Sequence, residues 1–168
     1  LLKHVNPYTG RSYAAEPGVF AVEINNENAL THRWRNGSID RYVTDPAFGP
    51  KYGAPLKAQW NAWLSTRYGT PAALSAAWGQ TIAGFSSVTV PLRSEAPQLP
   101  LARMTDWWRF VGATEEAYWS GMQDFIKQSL GFRGLVSGGQ MGYSPSIFKP
   151  RADFTDSHYY WHPLPRLA

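Results

Sequence analysis

The stretch Val19–Asn28, reading VFAVEINNEN, constrains this chain more than any other. Val19 to Ile24 is apolar and rich in β-branched residues apart from Glu23. Such a run suits a short strand buried on both faces, as in a parallel sheet. The chain then turns abruptly polar through Asn25, Asn26, Glu27 and Asn28. A buried strand that ends in a carboxylate flanked by amides puts ionisable chemistry at the mouth of an apolar core. Parallel α/β proteins build their active sites at the carboxyl ends of their strands. Glu27 is therefore the leading catalytic candidate. On residue chemistry alone, a salt-bridged strand-end carboxylate is an equally good reading.

The flanking chain supplies the context. Leu1–Val5 reads as the tail of a helix, and Asn6-Pro7-Tyr8-Thr9-Gly10 is turn chemistry. Ala29–Pro55 reads as a long irregular loop, broken by Asn36-Gly37, Asp45-Pro46, Gly49-Pro50 and Gly53. Loops of that length inside compact domains are usually functional, and this one follows Glu27 directly. Pro55–Tyr68 has helical spacing at Leu56, Trp60, Trp63, Leu64 and Tyr68, closed by Gly69. Thr70 then caps a second helix that runs to Trp78. In both, the tryptophans read as packing residues. Gly84–Leu101 is Pro-rich and reads as an extended surface connector.

Thr105–Leu130 is the longest helical pattern, with Gly112 as a candidate break. Trp108, Val111, Tyr118, Met122, Phe125, Ile126 and Leu130 form its expected inner face. Phe132–Gln140 reads as a second buried strand, whose Gly138-Gly139 would allow close approach of backbone or ligand. Asp153–Tyr160 reads as a third, ending in the cluster His158, Tyr159, Tyr160, Trp161 and His162. Strands linked by helical segments point to a parallel α/β sheet. Three strands do not close a barrel, so the sequence reads as part of a larger fold.

Composition narrows the function. No apolar run approaches the roughly 20 residues of a membrane helix, so no membrane partner is expected. The net charge of +4 is scattered rather than clustered, which argues against a nucleic-acid partner. Cysteine is absent, excluding disulfides and thiolate chemistry. Eight Trp and nine Tyr offer flat faces with polar edges, suited to sugar rings. No Ser-nucleophile motif or Gly-rich phosphate loop is present. His158 and His162 lack metal-ligand spacing, so neither a metal nor a cofactor is expected.

Taken together, Asn6-Pro7-Tyr8-Thr9-Gly10, Tyr13, Pro17 and Glu23-Ile24-Asn25-Asn26-Glu27 resemble the segment leading into the fourth strand of clan A glycoside hydrolases. The likeness is greatest to the cellulase and β-mannanase group called family 5, and it extends to related β-galactosidase-like barrels. Trp63-Leu64, Arg67-Tyr68-Gly69, Leu74 and Ala77-Trp78 resemble a helix pair of several such enzymes. Asp156, His158, Tyr160 and Trp161 resemble the end of their sixth strand.

The resemblance implies a partial (β/α)8, or TIM, barrel running from about the third helix to the sixth strand. It would be a single incomplete domain over 1–168, with a long insertion after strand 4 at about 28–104. Glu27 is then the general acid/base, and Asn26 a ligand for a sugar hydroxyl next to the reacting carbon. His158 and Tyr160 would orient the substrate or the second carboxylate, Trp161 would stack on a sugar ring, and Gln140 is a further subsite candidate. Glu23 is expected to pair with a cation.

Glycoside hydrolysis needs two carboxyl groups. Desolvation at an apolar strand end would raise the pKa of Glu27, as a general acid requires. The family's nucleophile is a Glu on a seventh strand, which this sequence does not show. The expectation is therefore a glycosidase of β-linked poly- or oligosaccharides, of retaining type. It would be inactive without the remainder of its barrel, and polysaccharide substrates favour an extracellular or periplasmic site. A non-catalytic carbohydrate-binding protein on a degenerate barrel is the rival reading.

Overall fold

The computed structural model describes residues 1–158. Its strands and α-helices run in the order β1 (Ala21–Glu23), α1 (Leu30–Arg35), α2 (Ser38–Thr44), α3 (Ala54–Tyr68), α4 (Pro71–Trp78), α5 (Leu101–Asp124) and β2 (Leu135–Ser137). They fall into two compact units. One is Leu30–Thr114; the other combines Leu1–Ala29 with the chain from Glu115 onward.

The Leu30–Thr114 unit is helical. α3 carries Pro55 in its first turn and stops at Gly69, whose φ is +70°. Thr70 caps α4 by accepting the Ala73 N–H at 3.2 Å, with Pro71 at the first position. Trp60, Leu64, Leu74, Trp78, Val88, Val90, Trp107, Phe110 and Val111 form the buried core. The expected packing role of the α3 and α4 tryptophans holds: Trp60 and Trp78 are buried, and Trp63 is packed against the same core. The one acid inside this core, Asp106, accepts from Tyr68 Oη at 2.5 Å and Trp78 Nε1 at 2.9 Å, and pairs with Arg67 at 3.1 Å. A buried carboxylate is tolerable only with such a full set of donors.

Two expectations for this unit are corrected. The segment after Ala29 is not an irregular loop, since α1, α2 and a π-helical turn over Gly49–Gly53 together occupy most of it. Asn36-Gly37 separates two helices here, with Gly37 at φ +78° before α2. Trp34 and Ile39 are buried on either side of it, and that burial stabilises helices too short to persist alone. The Pro-rich connector is likewise not laid over the surface. Val88, Val90 and Pro91 are buried, and the carbonyls of Thr89 and Pro91 accept from Trp60 and Trp34 indoles.

The other unit contains the sheet. β1 and β2 pair in parallel, with Ala21 opposite Leu135, Val22 opposite Val136 and Glu23 opposite Ser137. Ile126, Phe132 and Val136 form its buried cluster, with Leu2, Ala14, Val19, Val22 and Ile24 packed against it. Both predicted strands form, over shorter spans than the apolar runs. α5 passes Gly112 without a break, and its inner face is set by Trp107, Phe110, Val111 and Trp119, while Ile126 is buried in the π-helical turn Phe125–Ser129 that follows. Tyr118 and Phe125, expected inside, are exposed. The buried pair at 107 and 119 rotates the apolar stripe away from 108 and 118, and hydrophobic spacing alone fits either face.

Leu1–Val5 is not helical. The Asn6–Gly10 turn folds it back, so that Tyr13 and Ala14 donate to the carbonyls of His4 and Leu2. The third expected strand is also absent over the described residues 153–158. Asp153 reaches β2, but its carboxylate takes the Val136 N–H at 2.7 Å. A ladder carbonyl would otherwise hold that donor, so the pairing does not propagate.

Candidate active site

Glu27 lies four residues past the end of β1, at the carboxyl end of the sheet. Its φ of +47° makes it the one non-glycine residue with positive φ among the described residues. For a side chain such as Glu this conformation costs about 1 kcal/mol or more. Strained backbone of this kind clusters at functional sites.

The opposite wall of the site is built by the loop after β2. Asn25 N donates to Gly138 O at 3.3 Å, carrying the strand pairing one step beyond the ladder. Gly139 has φ +146°, and a Cβ there would lie 2.7 Å from Asn25 O. Gly139 thus permits close backbone approach, as anticipated, while Gly138 leaves room for the Lys149 side chain. Lys149, buried, then fastens the loop by donating from Nζ to Gly139 O at 2.5 Å and Ser144 O at 2.8 Å. Burial lowers the pKa of its ammonium, against the pull of Glu115, Asp156 and Glu23. The Ser144 hydroxyl donates to buried Glu115. Finally, Met141 N donates to Asp156 O at 2.8 Å, drawing in the segment that bears His158.

These constraints bring four ionisable groups together. His158 Nδ1 lies 3.0 Å from Glu27 Oε1, and its Nε2 lies 3.1 Å from Asp156 Oδ2 and 4.0 Å from Glu23 Oε1. Tyr143 Oη donates to Glu27 Oε2 at 3.3 Å. The imidazole pKa is raised, first by the hydrogen bond to Glu27 and then by Asp156. The Glu23 carboxyl is also raised, first by burial and next by the Asp156 charge beside it. Its Oε1 is buried with no hydrogen-bond partner, a costly state for an ionised oxygen. The cation that Glu23 faces is His158.

Of the residues singled out in the sequence, Glu27 and His158 are in direct contact. Asn26 is exposed beside them. Gln140 is buried, and its Oε1 accepts the Gly142 N–H at 2.8 Å, tightening the turn that carries Tyr143. Tyr160 and Trp161 lie outside the described residues. Sequence reasoning did not select Tyr143, although its place in a strand-end loop was a usable signal. Glu23, Asp156 and His158 bring donor atoms within 4.8 Å of one another, the spacing of a metal site. The same spacing lets His158 and Asp156 hydrogen-bond to one another.

A strand-end carboxyl held by an imidazole and a phenol is an arrangement for acid–base catalysis. Residues 2–133 match the glycoside hydrolase family 42 model, described as beta-galactosidase. The match covers most of the chain, so this protein belongs to that family of glycosidases. Within the expected clan A resemblance, the match falls on the β-galactosidase side. The helical, few-stranded α/β architecture is compatible with part of a (β/α)8 barrel. Comparison with curated proteins and with solved structures gives no match. No helix among the described residues is long and apolar enough to cross a membrane.

Proposed function

We propose that this chain carries the acid/base half of a retaining glycosidase acting on β-galactosides, with Glu27 as the acid/base. The observation that carries the reading is the pairing of Glu27, at the end of β1, with His158 at 3.0 Å and Tyr143 at 3.3 Å. In the first step Glu27 gives its proton to the glycosidic oxygen. The C–O bond breaks with its electron pair going to that oxygen, and a second carboxylate takes the anomeric carbon. In the second step Glu27 accepts a proton from water, which displaces the carboxylate. Asn26 serves a sugar hydroxyl, Gln140 supports the site by holding the turn that carries Tyr143, and Tyr160 and Trp161 serve the sugar as the resemblance implies.

A closed (β/α)8 barrel needs eight strands, and the described residues pair two. We therefore read the chain as part of such a barrel, with a long insertion after strand 4 at about 28–104. The second carboxylate then comes from the remainder of the barrel, and the chain alone is inactive.

The test is Glu27→Gln in the full-length protein that contains this chain, assayed on lactose and on an aryl β-galactoside with a good leaving group. Turnover of lactose should fall at least about a hundred-fold, the usual contribution of a general acid. Cleavage of the activated substrate should lose less in the bond-breaking step. Normal lactose turnover by the variant would remove Glu27 from this role.

A further inference from the structure

We propose that His158 is a positioning residue that shares the catalytic proton with Glu27, in a tautomer held by Asp156. The inference rests on the acid/base role of Glu27 given above and extends it to the imidazole paired with that carboxyl.

Geometry carries the argument. An ionised carboxylate can only accept hydrogen bonds. With Asp156 Oδ2 at 3.1 Å, His158 Nε2 therefore holds a hydrogen in both protonation states of the ring. Its other nitrogen, Nδ1, faces Glu27 Oε1 at 3.0 Å. One proton lies between them. It is either on Nδ1, giving an imidazolium and a carboxylate, or on Oε1, giving a neutral imidazole and a carboxylic acid. The second form is the acid needed for leaving-group protonation. Tyr143, donating to Oε2, leaves Oε1 as the oxygen that carries the shared proton.

The charged groups around the pair come from every adjoining segment. Glu23 belongs to β1, Asp156 stands on the same segment as the ring, and Tyr143 comes from the loop after β2. Lys149 acts on Asp156 and Glu23 through its charge. The carboxylates outweigh the lysine at the ring, consistent with its raised affinity for a proton.

In the reaction the shared proton passes from Nδ1 to Oε1, then to the glycosidic oxygen as the C–O bond breaks. The water of the second step returns one proton to the pair. The acid is lost when the pair gives up its last proton, so the alkaline limb of the rate profile belongs to both groups together. Without the imidazole, Glu27 holds its proton alone and the limb moves to lower pH.

The experiment is the pH profile of kcat/KM for full-length wild type, His158→Asn and Asp156→Asn on an aryl β-galactoside. It is paired with an NMR titration of the histidine rings in wild type and Glu27→Gln. In His158→Asn the alkaline limb should move about one unit to lower pH, so that activity on its descending side falls about ten-fold relative to the plateau. Asp156→Asn should displace it in the same direction by less. In Glu27→Gln the His158 ring should titrate at lower pH than in wild type.

A limb unmoved in His158→Asn, in a protein that still melts cooperatively, would overturn the shared proton while leaving Glu27 as the acid. An unchanged His158 titration in Glu27→Gln would overturn the pairing, whatever the activity. Full lactose turnover by Glu27→Gln would instead remove the acid/base reading on which the inference stands.

Discussion

Glu27 and Gly139 both sit at positive φ, in the segments that follow β1 and β2. For Glu27 the conformation aims a long acidic side chain at His158 and Tyr143. For Gly139 it lets the loop after β2 close onto the Asn25 carbonyl. Gly139→Ala would put a methyl group 2.7 Å from that carbonyl, in a backbone conformation alanine avoids. We expect this substitution to lose about 1–3 kcal/mol of stability, the usual range for forced overpacking, measured by urea unfolding. Glycosidase activity of the full-length protein should fall as well, because the loop that yields also carries Tyr143. Unchanged stability would mean that the glycine is dispensable and the loop tolerates movement.

At the scale of elements, what could be read from the sequence followed from the strength of each local signal. α3 and α4 were legible because Pro, Thr and Gly mark their ends and tryptophans repeat at helical spacing. The cores of β1 and β2 were legible as apolar runs. α1 and α2 were not, since Asn36-Gly37 and the prolines gave a strong local turn signal that burial of Trp34 and Ile39 overrides. The Val88–Pro91 segment was misplaced for a similar reason. Its composition is that of a connector, while its burial depends on indole donors far away in sequence. In the site, Glu27 and His158 could be found from strand-end logic and resemblance. The contact between them could not, because it depends on Met141 meeting Asp156.

One buried acid makes the packing of α3, α4 and α5 testable. Asp106 of α5 accepts from Tyr68 and Trp78 and pairs with Arg67. Asp106→Ala leaves these donors without their acceptor in an apolar surrounding. A loss of about 3 kcal/mol is expected in urea unfolding. A loss below about 1 kcal/mol would mean that water or another acceptor replaces the carboxylate.

At the scale of the whole molecule, the two units differ in how the chain builds them. Leu30–Thr114 is one continuous segment with its own tryptophan-rich core. Expressed alone it should unfold in a single cooperative thermal transition, followed by near-ultraviolet circular dichroism of its tryptophans. A broad transition without aromatic signal would show that this core depends on the rest of the chain. The sheet-containing unit has no such independence, because Ala21 finds its partner only at Leu135. As the polypeptide leaves the ribosome, β1 emerges first and waits while all of α1 to α5 is translated. Until Leu135 appears, a nascent chain carries an oily ribbon with open backbone donors and acceptors, able to stick to whatever passes. Slow translation between these points should therefore be hazardous to this protein and escort by chaperones useful, whereas a pause after β2 should do little harm.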